Sequence, residues 1–278
     1  MASVPGGDCA VREEIIGDCR LINGDCREIL PTLAAACADL IFTDPPYGHN
    51  NNNGDLIQNW EKALARPHDS ESSRPRPILN DGVEAEELAF SMFNEAPRLL
   101  ASGGCCCCGG GGPDPMFARW SLAIDKPLQF KQMIVWDKGP MGMGWHYRRS
   151  YETVLVAQKR GGACKWYDKS DAIENVIRPG NWGIRKIIPQ ADDHPTPKPP
   201  ELAAFFIRIH TREGETVLDP FMGGGSTGEA AVHLGRKFIG IELDPQHFDA
   251  SCRRIAALVE RPDMFRQKEK PVQEKLAL

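Results

Sequence analysis

Val217-Leu218-Asp219-Pro220-Phe221-Met222-Gly223-Gly224-Gly225-Ser226-Thr227 decides the architecture of this chain. Its order is strand, tight turn, helix. Glycines permit positive φ and let the backbone approach a ligand closely. The helix that follows aims its first N–H groups at a negative group such as a carboxylate or phosphate. Seventeen residues past Gly225, the strand Phe238-Ile239-Gly240-Ile241 delivers Glu242, a carboxylate placed to accept hydrogen bonds from ribose hydroxyls. Together they point to a nucleotide-like ligand without naming it. Gly228 completes a G-x-G-x-x-G spacing with Gly223 and Gly225, so a nicotinamide cofactor stays open.

Outward from this segment, strands and helices alternate. Arg20-Leu21-Ile22-Asn23 reads as a strand ending at Gly24-Asp25, and Arg27 to Ala36 as a helix. Asp39-Leu40-Ile41-Phe42-Thr43 is a buried strand that runs into Asp44-Pro45-Pro46-Tyr47-Gly48. Glu84 to Leu100 has helical spacing, with Leu88, Phe93, Leu99 and Leu100 on the buried side and Gly103-Gly104 as its end. Cys105 to Cys108 reads as a buried strand, Gly109 to Gly112 as a flexible turn, and Pro115 to Ile124 as a helix. Gln132 to Asp137 and Thr153 to Gln158 read as strands flanking Gly139 to Tyr147. A helix at Glu201 to His210, a strand at Thr216 to Leu218, a helix after Gly225 and a strand at Lys237 to Ile241 complete the alternation. Such alternation predicts an α/β fold with a mostly parallel sheet and helices on both faces, whose ligands sit at the carboxyl ends of the strands. Asp44 to Tyr47 and Asp219 to Gly225 both occur where a strand ends, so they are expected to form one site.

The remaining stretches are irregular. His49 to Gly82 is polar, with four consecutive asparagines, and reads as a long mobile loop. Gly161 to Asp193 has little periodicity. The chain is expected to form a single domain over 1–262, with a catalytic part at 1–158, a small target-recognition segment at 159–193 and a cofactor-binding part at 194–262; 263–278 reads as a disordered tail.

Bulk properties narrow the class. Hydrophobic residues make up 41% of the 278 and charged residues 26%, as in ordinary globular proteins. No apolar run reaches membrane-spanning length, and no signal-like pattern opens the chain, so a cytoplasmic location is expected. The net charge of -5 argues against a protein that coats nucleic acid non-specifically. It leaves room for a local basic face, because Lys126 to Lys186 holds twelve Lys/Arg against five Asp/Glu. None of the ten cysteines forms a C-x-x-C pair. They read as reduced, mostly buried thiols, with no metal expected.

Asp44-Pro45-Pro46-Tyr47 carries the chemistry. Two prolines fix a narrow backbone path without N–H donors. The Asp44 carboxylate and the Pro45 carbonyl can then face one amino group as paired acceptors, while Tyr47 offers a ring on which a planar base can stack. The exocyclic amine of a base is a poor nucleophile, because its lone pair is delocalised into the ring. Two acceptors holding its hydrogens favour a pyramidal nitrogen and aim the lone pair at an electrophilic methyl group. There is no Pro-Cys dipeptide for a covalent route through ring carbon.

Asp44-Pro45-Pro46-Tyr47, His194-Pro195-Thr196-Pro197-Lys198-Pro199 and Asp219-Pro220-Phe221-Met222-Gly223-Gly224-Gly225, in that order, resemble the N6-adenine/N4-cytosine DNA methyltransferase family, in its circularly permuted form where the catalytic motif precedes the cofactor motif. The resemblance covers roughly Leu21 to Ala257. It implies a Rossmann-like S-adenosylmethionine-dependent methyltransferase fold, S-adenosyl-L-methionine as cofactor and double-stranded DNA as partner. Asp44 and Pro45 would hold the target amino group, within the rigid turn that Pro46 completes, and Tyr47 would stack on the flipped base. Asp219, Phe221, Gly223 and Gly225 would line the methionine end of the cofactor with Thr227 beside it, Glu242 would hold the ribose, and Lys198 would sit near the cofactor carboxylate. Asp25 would lie near the cofactor adenine, although Gly17-Asp18-Cys19 repeats the tripeptide Gly24-Asp25-Cys26. In the family an aspartate at the position of Asp44 goes more often with adenine N6 than with cytosine N4, so adenine is expected and cytosine is the alternative. A homodimer and a cognate restriction nuclease are compatible partners. A different Rossmann enzyme, or a DNA-binding relative without catalysis, remains the rival reading. His49 and Trp145-His146-Tyr147-Arg148-Arg149 are candidate DNA contacts, whereas Trp166, Tyr167 and Trp182 read equally well as core or as DNA-facing.

Overall fold

Ala38-Asp39-Leu40-Ile41-Phe42-Thr43 is buried at every position but Asp39, the mark of a strand covered on both faces. The computed structural model describes residues 11–49, 78–110, 116–139, 146–170, 172–178 and 198–260. Most of the predicted loop, Trp145, Trp182, His194 to Pro197, much of the 159–193 segment and the tail lie outside these residues.

Nine strands form one sheet: β1 (Arg12–Ile16), β2 (Cys19–Asn23), β3 (Ala38–Thr43), β4 (Leu100–Gly110), β5 (Gln129–Asp137), β6 (Tyr151–Gln158), β7 (Val176–Ile177), β8 (Thr216–Asp219) and β9 (Lys237–Glu242). Their order is β1-β2-β9-β8-β3-β4-β6-β5-β7. The central run from β2 to β4 is parallel, whereas β6 runs antiparallel to β4 and β5, and β1 antiparallel to β2. Helices α1 (Cys26–Ile29), α2 (Ala85–Leu99) and α3 (Met116–Ile124) cover one face, burying Phe93 and Trp120 against Ile41 and Leu155. On the other face, α4 (Pro200–His210), α5 (Ser226–His233) and α6 (Pro245–Val259) bury Phe206 and Phe248 with Leu40 and Val217. The cysteine run obeys strand alternation: Cys106 and Cys108 join the first core, Cys105 and Cys107 the second.

The crossover from β3 runs through α2 on the first face, and that from β8 through α5 on the second. β3 and β8 are neighbours, pairing Leu40 with Val217 and Ile41 with Leu218. Chain direction therefore diverges between them, and the gap beyond their carboxyl ends is the topological switch point where open α/β sheets bind ligands.

Several expectations are corrected. The helix expected over Arg27–Ala36 stops at Ile29 and gives way to a 3-10 turn at Leu30–Thr32, where Pro31 has no N–H to continue the helix. Gly103-Gly104 does not end a helix: α2 stops at Leu99, two residues after Pro97, and β4 starts at once. Gly109 and Gly110 are strand residues paired with Val154 and Thr153 rather than a turn, while Gly111 and Gly112 lie outside the described residues. β1, β7 and α6 were not anticipated. α6 begins at Pro245 with Asp244 as its cap, the Asp44-like pairing of a carboxylate and a proline used here only to start a helix.

Candidate active site

Asp219 closes β8 and is almost fully buried. It accepts from Thr43 Oγ1 at 2.7 Å and from the Phe221 amide at 3.1 Å, which ties the end of β8 to the end of β3. Burial pushes its carboxyl up to about 6, against hydrogen bonds from Thr227 and Thr43. Thr227 thus braces Asp219. One residue beyond Thr43, Asp44 enters the same space. Its Oδ1 accepts from the Tyr47 hydroxyl, and its Oδ2 lies 3.0 Å from Lys198 Nζ. Burial raises the Asp44 carboxyl, Lys198 pulls it back down, and Glu152 adds a further push upward. Burial likewise holds Tyr47 as a neutral phenol, so it is the donor of the pair.

Four residues absent from the sequence reading complete this arrangement. Glu152 on β6 binds Lys198 at 2.8 Å and Lys138 at 2.6 Å. Burial opposes its charge, but the two ammonium groups outweigh burial and hold its carboxyl at about 2. Lys198 therefore bridges two carboxylates, with its ammonium also 5.3 Å from the Tyr47 ring centre. Asp81 is buried, and its Oδ1 accepts from the amides of Tyr47 (3.0 Å), Gly48 (2.8 Å) and His49 (3.2 Å), clamping the turn after the two prolines. Gly109 lies against that turn: a Cβ there would meet Tyr47 Oη at 2.7 Å and Asp44 Oδ1 closer still. No local pattern marks Glu152, Lys138, Asp81 or Gly109, because strand pairing and the long return of the chain bring them in.

At the other end of the space, Glu242 closes β9. Its Oε2 accepts from the Gly223 amide at 2.7 Å and its Oε1 from the Asp244 amide at 2.8 Å; burial pushes its carboxyl up to about 7. Gly223 and Gly225 both have positive φ, of 52° and 83°, so the turn needs their freedom. Gly225 caps α5 against Ser251, where a Cβ would stand 3.1 Å away. Gly228 packs α5 onto Phe238 and Ile255 and does not touch the cavity. Asp25 caps α1 by accepting from the Arg27 amide at 2.8 Å, and pairs with the Arg27 side chain. Asp18 belongs to the β1–β2 turn.

One cavity, with about 470 Å³ open to water-sized molecules, gathers these groups. Asp44, Pro45, Pro46, Tyr47, Asp25, Lys198, Asp219, Phe221, Gly223, Thr227 and Glu242 all line it; Gly225 alone of the expected site residues does not. Its volume falls in the range of roughly 300–1,000 Å³ usual for small-ligand sites. Lys198 sits on Asp44 and Glu152 rather than apart at the glycine turn. His49 lines the cavity, edge-on to Tyr47 with 6.1 Å between ring centres. Tyr147 and Arg148 are exposed. Trp166 stands beside His210, and Tyr167 beneath the Arg212 guanidinium.

A doubly wound sheet, with a nucleoside-sized cavity at its switch point and carboxylates at the ends of β3, β8 and β9, defines a Rossmann-like enzyme of small-ligand chemistry. The N6/N4 methyltransferase family model, described as DNA methylase, matches residues 38–253, and the chain belongs to that family. It is 28% identical over 262 residues to the DNA adenine methyltransferase YhdJ of Escherichia coli K12, covering 84% of this chain and 82% of that protein. It is 25% identical to the type II methyltransferase M2.DpnII of Streptococcus pneumoniae over 258 residues, 85% of this chain and 89% of the other. A solved structure of TTHA0409 from Thermus thermophilus, described as a DNA modification methylase complexed with S-adenosyl-L-methionine, superimposes with a TM-score of 0.58 at 25% identity, covering 86% and 95% of the two chains.

Proposed function

We propose that this chain transfers the methyl group of S-adenosyl-L-methionine to the exocyclic N6 of adenine in double-stranded DNA. The observation that carries the reading is the single cavity in which Asp44, at the end of β3, faces Glu242 and the glycine turn, at the ends of β8 and β9. The cofactor supplies an electrophilic methyl group when bound. The residues present fit it: Glu242 is a buried carboxylate for the ribose hydroxyls, Asp219, Phe221 and Gly223 line the methionine end with Thr227 bracing Asp219, and Asp25 closes the adenine side.

The chain's own work is on the base. A duplex hides the N6 amine, so the nucleotide must leave the stack at a cost of a few kcal/mol. Asp44 Oδ1 and the Pro45 carbonyl then accept the two amine hydrogens, the amine taking the place of the Tyr47 hydroxyl on Oδ1. A freed Tyr47 ring returns stacking energy of about 1–3 kcal/mol by analogy with other base–aromatic contacts. Adenine is favoured by the aspartate that opens the motif and by the likeness to a DNA adenine methyltransferase.

Incubation with duplex DNA and S-adenosyl-L-methionine, followed by mass analysis of the digested nucleosides, tests both levels. N6-methyladenine is expected. N4-methylcytosine would overturn the base assignment and keep the amino-group chemistry, whereas unmodified DNA under saturating cofactor would overturn the activity. Asp44→Ala is expected to abolish transfer with cofactor affinity largely intact.

A further inference from the structure

A second cluster of chemically capable side chains lies at the opposite, amino-terminal end of the strands. Cys105 on β4, Cys164 in the segment after β6 and His210 at the end of α4 place their donor atoms within 4.8 Å of one another. The two sulfurs are 3.2 Å apart. Cys105 and His210 are buried and Cys164 is half-buried. Register shows the separation from the catalytic site: Cys105 pairs with Leu40 low on β3, three residues before Thr43 and Cys108 bring the strands to Asp44.

The surrounding backbone holds the three segments together without help from these side chains. The Lys165 amide donates to Gly103 O at 2.9 Å and the Tyr167 amide to Ile209 O at 2.7 Å, so the segment is stitched to β4 on one side and to α4 on the other. Lys165 Nζ reaches Asp39 at 2.6 Å and Glu215 at 2.7 Å, at the starts of β3 and β8. Gly103, with φ of 72°, has no room for a side chain against Ala163. The His210 ring is oriented by a 3.0 Å hydrogen bond between Nδ1 and Lys165 O. Each donor is thus carried on a scaffold whose position is set by other interactions, which is what a metal site requires.

We propose that Cys105, Cys164 and His210 bind a zinc ion that clips β4, the 163–168 segment and the end of α4 together. Two thiolate sulfurs and an imidazole form a soft donor set suited to zinc, and three protein ligands leave a fourth position for water. Sulfurs bound to one zinc at ~2.3 Å each in tetrahedral geometry stand roughly 3.8 Å apart, so the pair must open by about half an ångström. Cys164, half-buried and outside any strand, supplies that movement. The ion does not enter methyl transfer, because the site is separated from Asp44 by the height of the sheet.

The test uses the full chain, reduced and stripped with a chelator, then titrated with zinc sulfate. One equivalent is expected to bind with a rise in Tm, and cobalt(II) in its place should give the visible bands of a tetrahedral thiolate site. Cys164→Ser and His210→Gln should each lose the equivalent, while Cys37→Ser, a half-buried thiol elsewhere, retains it. If the ligand variants fold poorly, zinc should still slow alkylation of Cys164 in the wild-type chain by about tenfold or more, since a metal-bound thiolate is a poor nucleophile. No zinc uptake by reduced wild type, a full equivalent retained by Cys164→Ser, or a Cys105–Cys164 disulfide formed in place of metal binding would each overturn the proposal.

Discussion

Replacing Glu152 by glutamine keeps the shape of the side chain and removes the charge that Lys198 and Lys138 share. The wild-type carboxyl sits at about 2, against 4.5 for an ordinary glutamate. That difference of about 2.5 units corresponds to about 3 kcal/mol of interaction favouring the charged form. A group depressed in the folded state contributes this stability above its unfolded value, and loses it as pH falls from 4.5 toward 2. Urea unfolding is therefore expected to find Glu152→Gln less stable by about 3 kcal/mol at pH 7. The gap should narrow below pH 4.5. Activity should change as well, because Lys198 would be left with Asp44 as its one carboxylate partner and would hold it against an incoming amine. Methyl transfer is expected to fall by about 10- to 100-fold, the scale of a misplaced catalytic group, while cofactor affinity holds. A variant as stable as wild type at pH 7, or a stability gap that widens on acidification, would refute the charge argument. Unchanged kcat would refute the link to Asp44.

Asp81→Ala should leave the amides of Tyr47, Gly48 and His49 without their shared acceptor, lowering Tm by several degrees and kcat by about 10-fold or more, read by thermal melts and transfer assays. Gly109→Ala drives a methyl into the Asp44–Tyr47 pair, and should cost about 1–3 kcal/mol of stability with transfer reduced more than cofactor binding. For Glu242, burial raises the carboxyl to about 7. The folded state thus favours the neutral acid below that pH, and the ionised acceptor needed by ribose hydroxyls accumulates above it. Calorimetric cofactor affinity should therefore rise through about pH 7 and then level off, and Glu242→Gln should bind more weakly without that rise.

Much of the architecture was legible because parallel strands covered on both faces must be apolar throughout. Asp39–Thr43, Thr216–Leu218 and Lys237–Ile241 announce themselves in that way, and each ends on a residue that chemistry can use. Glycine and proline punctuated the same places for steric reasons, although Gly103-Gly104 misled: glycines inside β4 admit the close approach of Ala163 and do not end a helix. The antiparallel hairpin partner β1 was missed because Arg12-Glu13-Glu14-Ile15-Ile16 is an exposed edge whose order comes from pairing with β2. The missed α6 is amphipathic, with Phe248, Ser251 and Ile255 buried at helical spacing; its signal was present in the sequence and went unread.

The sequence by itself determined the acceptor at Asp44, the rigid turn at Pro45-Pro46, the glycine turn and Glu242, because each follows from residue type and its place at a strand end. Only the tertiary structure decided what surrounds them. Lys198 turned out to bridge Asp44 and Glu152, Asp81 to hold the catalytic turn, Gly109 to make room for it, and Cys105, Cys164 and His210 to meet at the far end of the sheet. These partners lie tens of residues or more apart along the chain. Hydrogen bonds and ion pairs between such groups depend on strand order and register, which no local pattern of residues encodes.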